Sequence, residues 1–142
     1  MITEREVVEN CTCHRVRTAA RAVTRAYDEA LRPVGLRATQ FAILVGTAVD
    51  GALSITSLAK FMGMDRSTLT RNLAPLAREG LLLLGNEGWR RSRTVEITKQ
   101  GRLRLRKAIP LWESAQETLR GKLGVRKWTE IRSALDDLIH AA

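Results

Sequence analysis

Apolar positions recur at helical spacing along most of the chain and alternate strictly in one short stretch only. From about residue 10 to 32, Cys13, Val16, Ala20, Val23, Tyr27, Ala30 and Leu31 fall at steps of three, four and seven. That period predicts a long amphipathic helix, which Pro33 and Gly35 end. Thr39 is placed to cap a second helix, with Phe41, Leu44, Val45 and Ala48 as its apolar face, and Asp50-Gly51 marks a turn. Ser54, followed by Ser57, starts a short helix over Ile55 to Met62 with Leu58, Ala59 and Met62 inward, and Gly63 ends it.

The next stretch, Met64 to Leu82, organises the rest. Asp65 can cap a helix, because its carboxylate accepts from the free N–H groups of the first turn. Leu69, Leu73, Leu76 and Gly80 form an apolar or small stripe. Ser67, Thr68, Thr70 and Arg71 lie off that stripe, near the start. Short hydroxyls and an arginine at the exposed N-terminal end of a helix suit base reading in a major groove. Helix, glycine turn, helix is helix-turn-helix spacing. Pro75 should bend the second helix beyond its reading end.

Leu81 to Leu84 reads as a strand and Gly85-Asn86-Glu87-Gly88 as a turn. Trp89-Arg90-Arg91-Ser92-Arg93 forms a basic tip, and Thr94-Val95-Glu96-Ile97 alternates as a returning strand. A two-stranded hairpin with Arg90, Arg91 and Arg93 at its tip, directly after a helix-turn-helix, reads as a wing that reaches the minor groove and its phosphates. Thr98 caps a long helix to about Leu123, with Leu105, Ala108, Ile109, Trp112, Ala115, Leu119 and Leu123 in its stripe. Pro110 predicts a kink within it. A last helix spans about Arg126 to Ala141, with Trp128, Ile131, Leu135, Leu138 and Ile139 apolar. The fold class expected is mainly α: a winged helix-turn-helix over 38–101, flanked by a helical dimerisation region at 1–37 and 102–142.

Charge sharpens this picture. The chain has 142 residues and a net charge of +9. Residues 60–107 alone carry 12 basic and 4 acidic side chains, so nearly all of the excess surrounds the candidate reading helix. A concentrated basic patch binds polyanions by counterion release. Aromatics are only 4% of the chain, which disfavours stacking on single strands. No run of 18 apolar residues is present, and the first ten residues, MITEREVVEN, are unlike a signal peptide. No membrane association is expected, and a bacterial cytoplasm, at the nucleoid when DNA is bound, is the expected location. The terminal helices carry more apolar surface than one small winged unit can cover. A two-fold homodimer would cover it and present two reading helices to a pseudo-palindromic operator in double-stranded DNA.

On these residues the chain resembles the MarR family of bacterial transcription regulators. The likeness is carried by MDRSTLTRNLAPLAREGLL, by the wing after it, and by Ile97-Thr98-Lys99-Gln100-Gly101, similar to the family's L-T-x-x-G. It implies a dimeric winged-helix protein, usually a repressor, released from its operator by small anionic or phenolic ligands or by oxidants. It also implies base contacts at Ser67, Thr68, Thr70 and Arg71, with Arg66 nearer the phosphates. The family's wing carries Asp-x-Arg. Here the Asp position is Trp89 and the Arg is Arg91, with Arg90 and Arg93 able to share its role. The first helix, CHRVRTAARAVTRAY, is similar to that of the organic-hydroperoxide-sensing subgroup, in which a cysteine precedes an Arg by eight residues and a hydrogen-bonding Tyr by fourteen. Cys13, Arg21 and Tyr27 keep that spacing, and Arg17 replaces the subgroup's second tyrosine.

Three readings of the two cysteines stay open: inert thiols, a redox switch at Cys11 and Cys13, or a metal site completed by His14 or a second subunit. Residues two apart on a helix point about 200° away from each other, so a local disulfide requires a helix that begins after Cys11. Arg17, Arg21 and Trp112 are candidates to line a pocket for an anionic aromatic effector. No cofactor or metal is expected. The chain has no acid–base constellation, phosphate loop or ligand cluster, so it is not expected to be an enzyme. Two other functions compete with a DNA-binding regulator: a thiol-based sensor or peroxidase using Cys13, and a winged-helix protein-interaction module.

Overall fold

The computed structural model describes residues 1–85 and 93–142. Helix α1 (Glu4–Asn10) opens the chain. Thr3 caps it reciprocally: the Glu6 N–H donates to the Thr3 hydroxyl at 3.3 Å, and the Thr3 N–H donates to the Glu6 carboxylate at 2.8 Å. This helix is an addition to the sequence expectation, in which regular structure begins near residue 10. The long helix α2 (Thr12–Leu31) follows, with Cys11 between the two. A 3-10 turn (Arg32–Val34) then leads into α3 (Ala38–Asp50).

Thr39 does not cap α3. The helix starts two residues earlier than that cap would set, and its first free N–H, on Ala38, donates to the Asp28 carboxylate of α2 at 2.7 Å. The Gln40 side chain meanwhile accepts from the Arg37 N–H at 2.9 Å. A tertiary partner has displaced the local one.

Strand β1 (Leu53–Ser54) precedes α4 (Ile55–Met62), whose first turn is capped as expected, the Ser57 N–H donating to the Ser54 hydroxyl at 3.0 Å. Gly63, at φ +63°, ends α4 in a conformation that side chains disfavour. The tight turn leads to α5 (Arg66–Arg78), the helix expected to read bases. Gly80 is not part of its stripe. It sits beyond the helix, where Leu81 N–H returns to the Leu76 carbonyl at 2.9 Å.

Strands β2 (Leu82–Leu84) and β3 (Thr94–Ile97) pair antiparallel, with Leu82 opposite Ile97 and Leu84 opposite Val95. The expected two-stranded hairpin gains a third member: β1 pairs with the other edge of β3, Leu53 opposite Val95. Helix α6 (Lys99–Leu123) runs through Pro110, and α7 (Val125–Ala141) completes the chain. No helix among the described residues is long and apolar enough to cross a membrane.

Leu44, Leu58, Leu69, Leu73, Leu76, Leu81 and Val95 are fully buried and form the centre of the winged unit. Leu31 of α2 and Leu105 and Ala108 of α6 join the same core. The long helices are therefore anchored to the winged unit at one end. The N-terminal part of α2 is uncovered. Neither α1 nor α7 has a buried residue, and Ile131, Leu135 and Ile139 are 40%, 44% and 73% exposed. An apolar face of that length left in water is unfavourable by about 25 cal/mol per Å², which favours a protein partner along it.

Candidate nucleic-acid interface

The N-terminal end of α5 is built around the Asp65 carboxylate. It accepts from the Thr68 N–H at 2.7 Å, the Ser67 hydroxyl at 2.7 Å and the Thr68 hydroxyl at 2.9 Å. Hydrogen bonds to a carboxylate favour its charged form. Those from Ser67 and Thr68, helped by nearby Arg71, push the Asp65 pKa down to about 2. The Thr70 hydroxyl donates backward to the Arg66 carbonyl at 2.8 Å. Each hydroxyl named as a base reader thus has its proton engaged within the protein. The lone pairs of its oxygen remain to accept from a base amino group.

Arg71 is the strong donor on this face. It is exposed, and its Nη2 touches the Thr68 hydroxyl at 3.4 Å. A guanidinium carries five donors, so one long contact leaves a fork able to bond a guanine edge. Arg66 and Ser67 are exposed beside it, at the very start of the helix. The structure therefore brings Arg66, Ser67, Thr68, Thr70 and Arg71 together on one helix end.

The wing is placed only in part. Arg90 and Arg91 lie outside the described residues, as does Trp89. Arg93 is half-buried, and its Nε donates to the Gly85 carbonyl at 3.3 Å. It closes the base of the hairpin instead of standing at the tip.

The expected effector pocket of Arg17, Arg21 and Trp112 does not form within the chain. Trp112 stacks on Phe41 at a centroid distance of 6.1 Å, in a partly buried position beside the core. Arg17 and Arg21 are exposed on the uncovered part of α2. What the fold opens instead is a hollow of about 380 Å³ between α2, α3 and α5, lined by Thr24, Asp28, Arg37, Gln40, Arg71 and Asn72. A larger one, of about 620 Å³, adjoins it and shares Asp28, Arg37 and Gln40. Sequence spacing gives no sign of the smaller one, because its walls come from three separate helices.

Cys13 and Tyr27 do not meet within a chain. Fourteen residues on one helix separate them by about 21 Å, and the Tyr27 hydroxyl donates to the Gln116 carboxamide of α6. Burial pushes the Tyr27 pKa up. Cys11 lies outside the helix with extended backbone, and its Sγ accepts from the His14 N–H at 3.4 Å. Cys13, one residue into α2, is exposed. Among the described residues no group of three or more His, Cys, Asp or Glu could hold a metal ion.

A three-stranded sheet folded against a helix-turn-helix, with a donor-rich helix end exposed beside it, defines a winged helix-turn-helix protein of the nucleic-acid-binding kind. The MarR family profile matches residues 36–83, from the start of α3 into β2. The transcriptional regulator MosR of M. tuberculosis is 37% identical, with a TM-score of 0.83 over 94% of this chain and 96% of that one. The same regulator in complex with DNA gives 37% identity and a TM-score of 0.84 over 93% and 96%. Bordetella bronchiseptica BpsR, whose DNA binding is regulated by 6-hydroxynicotinic acid, is 22% identical and shares the fold, with a TM-score of 0.82 over 92% and 95%. No curated protein sequence matches the chain. The chain belongs to the MarR family.

Proposed function

We propose that the chain is a homodimeric, sequence-specific DNA-binding transcription regulator, a repressor that a small ligand releases from its operator. The observation that carries this reading is the N-terminal end of α5, where an exposed Arg71 and a row of oriented hydroxyls face solvent together. The related regulator MosR, solved in complex with DNA, supports it. In this reading Arg71 with Ser67, Thr68 and Thr70 contacts bases. Arg66 contacts phosphates, Arg90 and Arg91 reach the minor groove and its flanking phosphates through the wing, and Arg93 supports the wing from its base. Residues 38–101 form the DNA-binding unit, and 1–37 with 102–142 pair two chains. The protein acts by binding, without enzymatic turnover, in a bacterial cytoplasm.

The test is selection of duplexes from a random pool by the purified protein. Binding of wild type and Arg71→Ala to the selected duplex and to random duplex is then compared. Arg71→Ala should weaken the selected complex by about 1–3 kcal/mol and leave random binding nearly unchanged. Equal losses on both would remove Arg71 from base reading.

The hollow between α2, α3 and α5 is the better place for an effector than the Arg17, Arg21 and Trp112 set. A ligand there touches Arg71 and the dimer helix α2 at once. Anionic ligands would meet Arg37 and Arg71 there, with Asp28 as a competing charge. Thermal-shift titration with aromatic acids, repeated on Arg37→Ala, tests it. A wild-type shift that Arg37→Ala leaves intact would move the site elsewhere.

An oxidant input at Cys11 and Cys13 has one supporting observation: Cys11 lies outside α2, so the helical offset does not hold the two sulfurs apart. Unchanged operator affinity after peroxide treatment, with both thiols shown to be oxidised, would remove that input.

A further inference from the structure

Arg104 sits in the second turn of α6, 27% exposed, and holds two helix ends at once. Its Nη1 donates to the Val34 carbonyl at 3.2 Å and pairs with the Glu79 carboxylate at 3.3 Å. Val34 closes the 3-10 turn that ends α2, and Glu79 is the residue at which α5 stops. The Val34 carbonyl lies at a helix end, where partial negative charge favours a guanidinium, and the Glu79 carboxylate offers a full negative charge at the end of α5. Among the described residues no other side chain bonds to both ends.

The same face of α6 is locked to the end of α5 by two further contacts. The Thr98 hydroxyl donates to the Gly80 carbonyl at 2.6 Å. Gly101 lies so close to the Leu81 carbonyl that an added Cβ would stand 2.2 Å from its oxygen. Thr98, Gly101 and Arg104 are three apart and share one side of the helix. Thr98 and Gly101 fix α6 to the end of α5; of the three, Arg104 alone also reaches the turn that ends α2.

We propose that Arg104 is a positioning residue for duplex recognition, setting the angle of the reading helix against the dimer helices α2 and α6. It thereby sets the separation of the two reading helices in the dimer. The proposal rests on the regulator reading above. A palindromic site demands one separation, whereas charge-driven binding to any duplex does not. Loosening this joint therefore costs selection and spares general affinity.

The experiment uses full-length dimer and duplexes selected by the wild type. Arg104→Met, Arg104→Lys and Glu79→Gln are bound to the selected duplex, to the same duplex with its half-site spacing changed by one base pair, and to random duplex. Arg104→Met and Glu79→Gln should each lower the selected-to-random affinity ratio by about tenfold and blunt the preference for the native spacing. Random-duplex affinity should stay within about threefold. Arg104→Lys keeps the charge and one of the two contacts, and should retain most of the ratio. Glu79→Gln, at an exposed position, carries the test if Arg104→Met does not fold. A simple charge effect would move the two variants in opposite directions, since one removes a positive and the other a negative charge. That result, or wild-type ratios in both variants, overturns the proposal alone. A wild type that selects no duplex overturns the regulator reading and this proposal with it.

Discussion

The Asp65 carboxylate accepts two hydrogen bonds from Thr68, one from its backbone N–H at 2.7 Å and one from its hydroxyl at 2.9 Å. One acid therefore both starts α5 and orients a side chain proposed to meet a base. Its pKa is held at about 2, below the ordinary 3.8. A depressed carboxyl stabilises the fold fully above its unfolded value and loses that contribution as pH falls through the folded one. Asp65→Ala should lower the thermal unfolding midpoint at neutral pH, and its difference from wild type should shrink between pH 4 and 2. Asp65→Asn should lose less, because its carbonyl can still cap. Melts followed by circular dichroism across that range check it. A constant difference down to pH 2 would mean that the charge of Asp65 adds nothing.

Gly101 predicts a steric failure. Its missing Cβ lets the first turn of α6 meet the Leu81 carbonyl, and a methyl there would stand 2.2 Å from that oxygen and 2.8 Å from Ile97. Backbone on one side and a core-edge side chain on the other leave little room to yield. Gly101→Ala should destabilise by about 1–3 kcal/mol or more in urea unfolding. A neutral result would show that α6 can shift freely on the winged unit, which would also weaken the case for a fixed reading-helix angle.

The uncovered apolar face of α7 predicts an oligomeric state. Leu135 is 44% exposed in the single chain and belongs to no core. Leu135→Asp should convert a dimer to a monomer in sedimentation velocity while the winged unit keeps its helical signal. A charge buried at a paired apolar surface is costly without a partner. A dimer of unchanged strength would place the pairing surface elsewhere.

Helical spacing made most of the scaffold legible. Leu69, Leu73 and Leu76 are buried on α5 as their spacing demands, and Asp65, Ser54 and Thr98 cap the helices that they precede. What could not be read is what tertiary packing decides. Asp28 caps α3 from ten residues away. Strand β1 is two residues long, too short to show alternation, and exists because β3 offers an open edge. Tyr27 finds Gln116 across 89 residues, and Trp112 finds Phe41, contacts within one chain that helical spacing along α2 does not show. Helix α1 is a different case: Thr3 and Glu6 carry capping-box spacing, a signal present in the sequence.

The central claim is that paired reading helices recognise duplex sequence, and one comparison tests it most directly: the affinity of the purified full-length protein for a duplex it has selected against its affinity for random duplex at physiological salt. A specific regulator should prefer the selected duplex by about a thousandfold or more. Equal affinities, falling together as salt rises, would reduce the protein to a basic surface and contradict the account.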